Sequence, residues 1–218
     1  MKSIILIGAT GYVGQALLAE FTERGFQVNA IARNTQNIPS TRLVTPIEMD
    51  VTKDHQLENI LKEGDIVVSA FNAGWTNPNL YDDFTKGVNA IHQAVKNSNA
   101  DRLIVIGGAG TLYVKQDLQL VDTPDFPAAI KPGATAVRDY FQNTLSKETA
   151  FKWTYFSPAI EMNPGNPGER TGHYRLGVNS PVFDCENRSR ISVEDVAVAI
   201  ADEITNPQFI NKQFTIGY

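Results

Sequence analysis

The chain has 218 residues, 42% of them hydrophobic, enough to bury one substantial core. A formal net charge of −5 gives no broad electrostatic grip on nucleic acid or an anionic membrane, and no apolar run approaches the length of a membrane span. The single cysteine, Cys185, has no partner for an internal disulfide, which fits a reducing cytoplasm.

Lys2 and the apolar run at 4–7 are too short and too soon interrupted by glycine for a signal peptide. That run instead begins a series of strands, expected at residues 3–7, 27–32, 42–48, 65–70, 102–106, 153–156 and 213–216. Several, such as "DIVVSA" and "RLIVIG", are continuously apolar, as parallel strands covered on both faces must be. Helical patterns fall between them at 12–24, 54–62, 79–97, 134–147 and 193–205. The last opens on Ser192 with Asp195 three residues on, a capping-box arrangement. The alternation predicts a single α/β domain over residues 1–218, a doubly wound, mostly parallel sheet of about seven strands flanked by helices. Two long connections break the rhythm, residues 107–133 and the glycine- and proline-rich residues 163–190. Both follow strand ends, where open α/β sheets bind ligands, so they are expected to form the substrate side.

The first strand runs into "GATGYVG", residues 8–14. Strand, glycine turn and helix within one unit is the context of a dinucleotide fold. Gly8 permits the turn, Gly11 lets the backbone approach a pyrophosphate, and Gly14 lets the helix pack on the strand. The amides of Thr10, Gly11, Tyr12 and Val13 would point at phosphate oxygens. An acid about 20 residues past the glycines would select NAD. Here the second strand ends "NAIARN", placing Arg33 where that acid would stand, so a 2′-phosphate and NADP(H) are favoured, with NAD(H) possible.

The spacing G-x-x-G-x-x-G resembles the extended and atypical members of the short-chain dehydrogenase/reductase superfamily, which share the Rossmann fold. Asp50 and Val51 in "MDV" are similar to the pair bordering adenine, and "SAFNAG" at 69–74 to the Asn-Ala-Gly turn. "RISVEDVA" at 190–197 is similar to a helix start of many members. The resemblance implies cofactor contacts at Ser69, Ala70, Phe71, Asn72, Gly107 and Gly108. Pro158 and "RTGHYRLG" at 170–177 most resemble the NAD(P)H-flavin reductase and biliverdin reductase-like subgroup, alongside the nitrogen-metabolite-repression (NmrA-like) type. Such chains are often labelled NAD-dependent epimerase/dehydratase-like.

The superfamily's Tyr-x-x-x-Lys pair is missing: no tyrosine is followed four residues later by lysine. Gly108 stands in place of the accompanying serine, leaving Thr111 as the nearby hydroxyl. No histidine follows Pro158 among Ala159, Ile160 and Glu161. No catalytic residue is assigned; the weak candidates are His173, Tyr174, Glu161 and Tyr140. His55 and His92 read as structural or exposed, and no residue grouping has metal-ligand spacing. Trp75, Thr111, Pro158, Ala159 and Tyr174 are the candidates for acceptor contact, and Arg170 and Arg175 would bind a flavin phosphate or solvate their loop.

Hydride transfer to a flavin or quinone-like acceptor needs no such relay, with FMN or riboflavin as substrate rather than bound cofactor. One alternative is an NADP(H)-binding redox-sensing regulator without turnover, which would have a protein partner. Another is a sugar-nucleotide epimerase or dehydratase-like enzyme with a relocated acid-base group.

Overall fold

The computed structural model describes residues 3–53 and 56–218. His55 and the start of the helix expected from residue 54 lie outside the described residues.

Strand β1 (Ser3–Ile7) shows why the chain forms a three-layer α/β domain. Its side chains alternate, Ile4 and Leu6 entering one core and Ile5 and Ile7 the other. The first core is closed by α1 (Tyr12–Glu23) and α5 (Val193–Thr205), which supply Leu17, Phe21, Val196 and Ile200. The second is closed by α3 (Leu80–Asn97) and α4 (Lys131–Asn143), with the one-turn α2 (Leu57–Ile60), through Val88, Ile91 and Val137. A strand buried on both faces has to be apolar throughout, as this one is.

The remaining strands are β2 (Gln27–Ala32), β3 (Val44–Glu48), β4 (Ile66–Ser69), β5 (Arg102–Ile106), β6 (Tyr113–Lys115), β7 (Leu118–Gln119), β8 (Lys152–Ser157), β9 (Arg175–Gly177) and β10 (Lys212–Gly217). Eight of the ten strands form one sheet in the order β3-β2-β1-β4-β5-β8-β10-β9. All neighbours are parallel except β9, which runs antiparallel to β10 at the edge. The order reverses between β1 and β4, so their C-terminal ends open a crevice at the topological switch point.

The sheet thus has eight strands where about seven were expected. β9 lies inside the 163–190 connection, and β6 with β7 forms a small hairpin inside 107–133. The helix expected at 134–147 begins earlier, at Lys131, with Pro132 in its first turn, and gives way to a 3₁₀ turn at Leu145–Lys147. Among the described residues no helix is long and apolar enough to cross a membrane.

Candidate functional site

Gly8 leaves β1 at φ +82°, and its amide and that of Ala9 both donate to the carbonyl of Ile31 on β2. A Cβ on Gly8 would lie 2.6 Å from the Ala70 carbonyl oxygen at the end of β4. A Cβ on Gly14 would lie 2.0 Å from the Gly8 carbonyl oxygen. Glycine is therefore forced at both positions by backbone on backbone, the turn being wedged into the switch point. The Gln15 side chain ties the turn down by donating to the Thr10 carbonyl at 2.7 Å.

Helix α1 then begins without a cap. Gly11 at its N-cap has no side chain to offer, and the first turn carries no acid. The contrast is α5, whose Ser192 accepts from the Asp195 amide and whose first turn holds Glu194 and Asp195. One helix satisfies its own N-terminus; the other leaves its first-turn amides and positive dipole end facing the crevice, beside exposed Thr10 and Gly11, although the Gly11 amide, expected to point at phosphate, is instead taken by the Gly8 carbonyl at 3.0 Å. That is the arrangement a pyrophosphate requires, and Gly8, Thr10, Gly11, Tyr12, Val13 and Gly14 would hold it.

Arg33 follows β2 directly, is exposed, and its side chain has no hydrogen bond or ion pair among the described residues. Asp50 lies near enough to feel its charge but turns away, accepting from the Thr52 hydroxyl at 2.7 Å and amide at 3.0 Å. The Thr52 hydroxyl bond, aided by Lys53 and Arg33, holds the Asp50 carboxyl below its usual range against partial burial. Val51 is buried beside it. The charge at the end of β2 thus belongs to an exposed guanidinium rather than a carboxylate.

After β4, Ser69 is buried and Ala70 donates its amide to Ile7. Phe71 turns its ring away from the crevice, so close under α3 that a Cβ on Gly87 would meet it at 2.2 Å. Only its backbone can face a cofactor. Asn72 folds back on its own loop, accepting from the Gly74 amide at 2.7 Å. Trp75 stands 58% exposed at the start of α4, where a Cβ on Gly133 would meet its ring at 3.5 Å.

After β5, Gly107 lies flat on the Tyr155 ring, which a Cβ would strike at 2.2 Å. Gly108 is roomier, with only Val137 within reach at 3.6 Å. Thr111, expected to touch the acceptor, is fully buried. Its hydroxyl bonds Ser157 at 2.7 Å and the Gly108 carbonyl at 2.9 Å, and accepts from Gln213 at 3.1 Å. It pins the 107–133 connection to the sheet, and buried polar groups must find such partners. Pro158 and Ala159 follow β8 at the same end of the sheet, both buried.

Three of the four acid-base candidates, Tyr140, Tyr174 and Glu161, are engaged elsewhere. Tyr140 is buried between α3 and α4, its hydroxyl 3.1 Å from His92 Nδ1, with His92 Nε2 2.9 Å from Glu148. Buried there, it is out of an acceptor's reach, and the same burial raises its phenol far above the ordinary range. Buried His92 is structural. Tyr174 donates to Asp202 at 2.6 Å, and Asp202 pairs with Arg24 just past α1, the end opposite the glycine turn. The Tyr174 hydroxyl therefore lies far from the crevice, and burial and Asp202 raise its pKa. Glu161 is paired with Arg188, which holds it below its usual range and keeps it an ion rather than an acid. The side chain of His173 is exposed, and its backbone exchanges hydrogen bonds with the Thr171 hydroxyl.

Asp195 was read from the sequence only as part of a helix start. It is fully buried and accepts from the Thr171 hydroxyl (2.7 Å), the Thr171 and Gly172 amides (3.0 and 2.8 Å) and the Tyr218 hydroxyl (2.6 Å). The segments "RTG" and "SVED", separate in sequence, clamp one another here. Burial pushes this carboxyl up, but the bonds from Tyr218, Thr171 and Gly172 outweigh it and leave the pKa lowered. Such a group stabilises the fold fully above its unfolded value, about pH 3.9, and loses that contribution as pH falls through the folded value. Asp195→Asn is therefore expected to cost about 2–3 kcal/mol at neutral pH. The gap to the parent should narrow below about pH 4, as the parent carboxylate protonates. Thermal melts of both proteins from pH 7 to 3 read this, and a gap independent of pH would contradict it.

A family model described as NAD(P)H-binding matches residues 8–207, from the glycine turn to just past α5. The chain is 34% identical over 213 residues to the uncharacterised protein YwnB of Bacillus subtilis (strain 168), covering 97% of this chain and 96% of that one. Among solved structures, a "putative epimerase" from Bacteroides thetaiotaomicron superposes with a TM-score of 0.90 at 39% identity, over 100% of this chain and 97% of that one. A "putative NADH-flavin reductase" from Streptococcus pneumoniae TIGR4 gives 0.86 at 30% identity, over 100% and 99% of the two chains. With its Rossmann-like sheet, its glycine turn at the switch point and a match across most of its length, the chain belongs to the NAD(P)H-binding family.

Proposed function

We propose that this protein is an NADPH-dependent reductase that delivers hydride to a flavin or quinone-like acceptor with no side-chain proton relay. The observation that carries this reading is the pairing of an open dinucleotide cradle with the diversion of three of the four acid-base candidates, the exposed His173 being the exception. Tyr140, Tyr174 and Glu161 are bound to His92, Asp202 and Arg188. The bound nicotinamide supplies two electrons and a proton as hydride. An isoalloxazine or quinone ring receives them in its own conjugated system, and water supplies the second proton. What remains for the chain is positioning. The glycine turn holds the pyrophosphate, Arg33 the 2′-phosphate, and the loops after β4, β5 and β8 frame the acceptor. The likeness to the streptococcal protein supports this reading.

The test is absorbance at 340 nm with NADPH and, in turn, riboflavin, FMN and a small quinone. Acceptor-dependent decay well above the uncatalysed rate is expected. If NADPH binds, as read by its fluorescence, yet no acceptor accelerates its oxidation, the reductase reading fails and a redox-sensing role without turnover takes its place.

A further inference from the structure

We infer that the acceptor is an uncharged planar ring, an isoalloxazine without its phosphate or a quinone, and that the site has no place for an acceptor phosphate. This rests on the reductase reading and narrows it.

The two connections that frame the acceptor side carry four arginines, Arg170, Arg175, Arg188 and Arg190. A planar, bidentate guanidinium is the side chain best suited to a phosphate. Each of these is already committed. Arg170 reaches across to Glu20 of α1 at 3.1 Å. Arg175 donates to the carbonyls of Phe183 and Tyr218. Arg188 pairs with Glu161, and Arg190 with Asp184 at 2.6 Å and Glu186 at 2.8 Å. These bonds hold the late connection against α1, β10 and its own turn, so freeing an arginine for a ligand would unpin the wall of the site. Across both connections six acidic residues offset six basic ones, which leaves no net positive field to attract a dianion.

Beside the rim lysine Lys131, the crevice end exposes large apolar side chains. Trp75, Ile130 and Ile160 are 58%, 38% and 37% exposed, and they come from the chain after β4, β5 and β8 respectively. Three separate connections thus each present one large hydrophobic side chain at the C-terminal end of the sheet. Burying a flat neutral ring against such groups recovers apolar surface without having to desolvate a phosphate. At the cofactor end the chemistry is opposite, with an exposed Arg33 that has no ion pair among the described residues and an uncapped helix. The anion-binding capacity of the protein is concentrated on the dinucleotide side.

Riboflavin and FMN share one ring and differ in the phosphate, so they separate these possibilities. With NADPH saturating, kcat/KM for riboflavin is expected to equal or exceed that for FMN, and the FMN value should barely change between 50 and 300 mM salt. Trp75→Ala should raise KM for both flavins severalfold while leaving the NADPH dissociation constant unchanged. An FMN preference, steepest at low salt, would overturn the inference; its loss in Lys131→Ala would assign the phosphate to that exposed rim lysine. Should no acceptor be turned over, the reductase reading fails, and quenching of flavin fluorescence in the presence of NADP still decides this point. Riboflavin binding at least as tightly as FMN supports it, and tighter FMN binding, or none of either, overturns it.

Discussion

Gly8→Ala is expected to weaken NADPH binding on the order of 100-fold while the protein still folds, because the substitution shifts the turn that aims the α1 amides. Two effects coincide at this residue. Its φ of +82° is strained for any L side chain, at a cost of about 1–3 kcal/mol. The new methyl would also lie 2.6 Å from the Ala70 carbonyl oxygen, which cannot retreat because the Ala70 amide is bonded to Ile7 at 2.9 Å. The turn itself must move, and with it the amides of Thr10 to Val13. Gly25→Ala separates strain from aim. Gly25 has φ +78°, nearly the same, but nothing within 4 Å, and it lies just past the opposite end of α1. It should lose about 1 kcal/mol of stability and no affinity. Melting curves and NADPH fluorescence titrations on both variants give the comparison. Equal affinity loss in both, or none in Gly8→Ala, would refute the assignment of this turn to the cofactor.

The parts of this protein that were legible in its sequence are those dictated by short-range pattern. β1, β2, β5 and α5 fall where the runs of apolar and β-branched residues and the Ser192 cap place them, because a strand buried on both faces leaves no choice of composition. The hairpin of β6 and β7 was not legible, since its turn is made by Asp117 at φ +57° in "KQDL", without the glycine that usually marks such a turn. β9 is three residues with no alternation, held as a strand only because β10 offers an edge. The start of α4 was missed because Pro132 and Gly133 read as loop, although proline suits a first turn. Side-chain direction was the larger gap. Thr111, Tyr140 and Tyr174 sit in or beside segments that face the crevice, yet their hydroxyls are claimed by Ser157, His92 and Asp202. Partners as much as 48 residues away, as for Tyr140, leave no local signal. Asp195 shows the converse: a residue legible as helix punctuation also clamps the late connection and Tyr218.

Arg33→Ala is expected to raise the NADPH dissociation constant about 10- to 100-fold and to leave that of NADH unchanged, since a charge-assisted bond pair contributes about 1.5–3 kcal/mol. The argument turns on availability. Arg33 is exposed at the exit of β2, and Asp50, whose carboxyl feels its charge, spends its oxygens on Thr52 and on Lys53 at 3.8 Å. Among the described residues no ion pair competes with a 2′-phosphate for the guanidinium. Arg33→Asp goes further, because it repels that phosphate and presents to the ribose 2′-hydroxyl the acceptor that NAD sites use, so the preference should invert. Fluorescence titration of both dinucleotides at two salt concentrations distinguishes a direct contact from a general field: the arginine's contribution to NADPH binding should weaken as salt rises. An equal loss for NADH and NADPH would place Arg33 in the scaffold. No change in either would leave the 2′-phosphate without a partner at the end of β2, and the expectation of NADPH over NADH would fall with it.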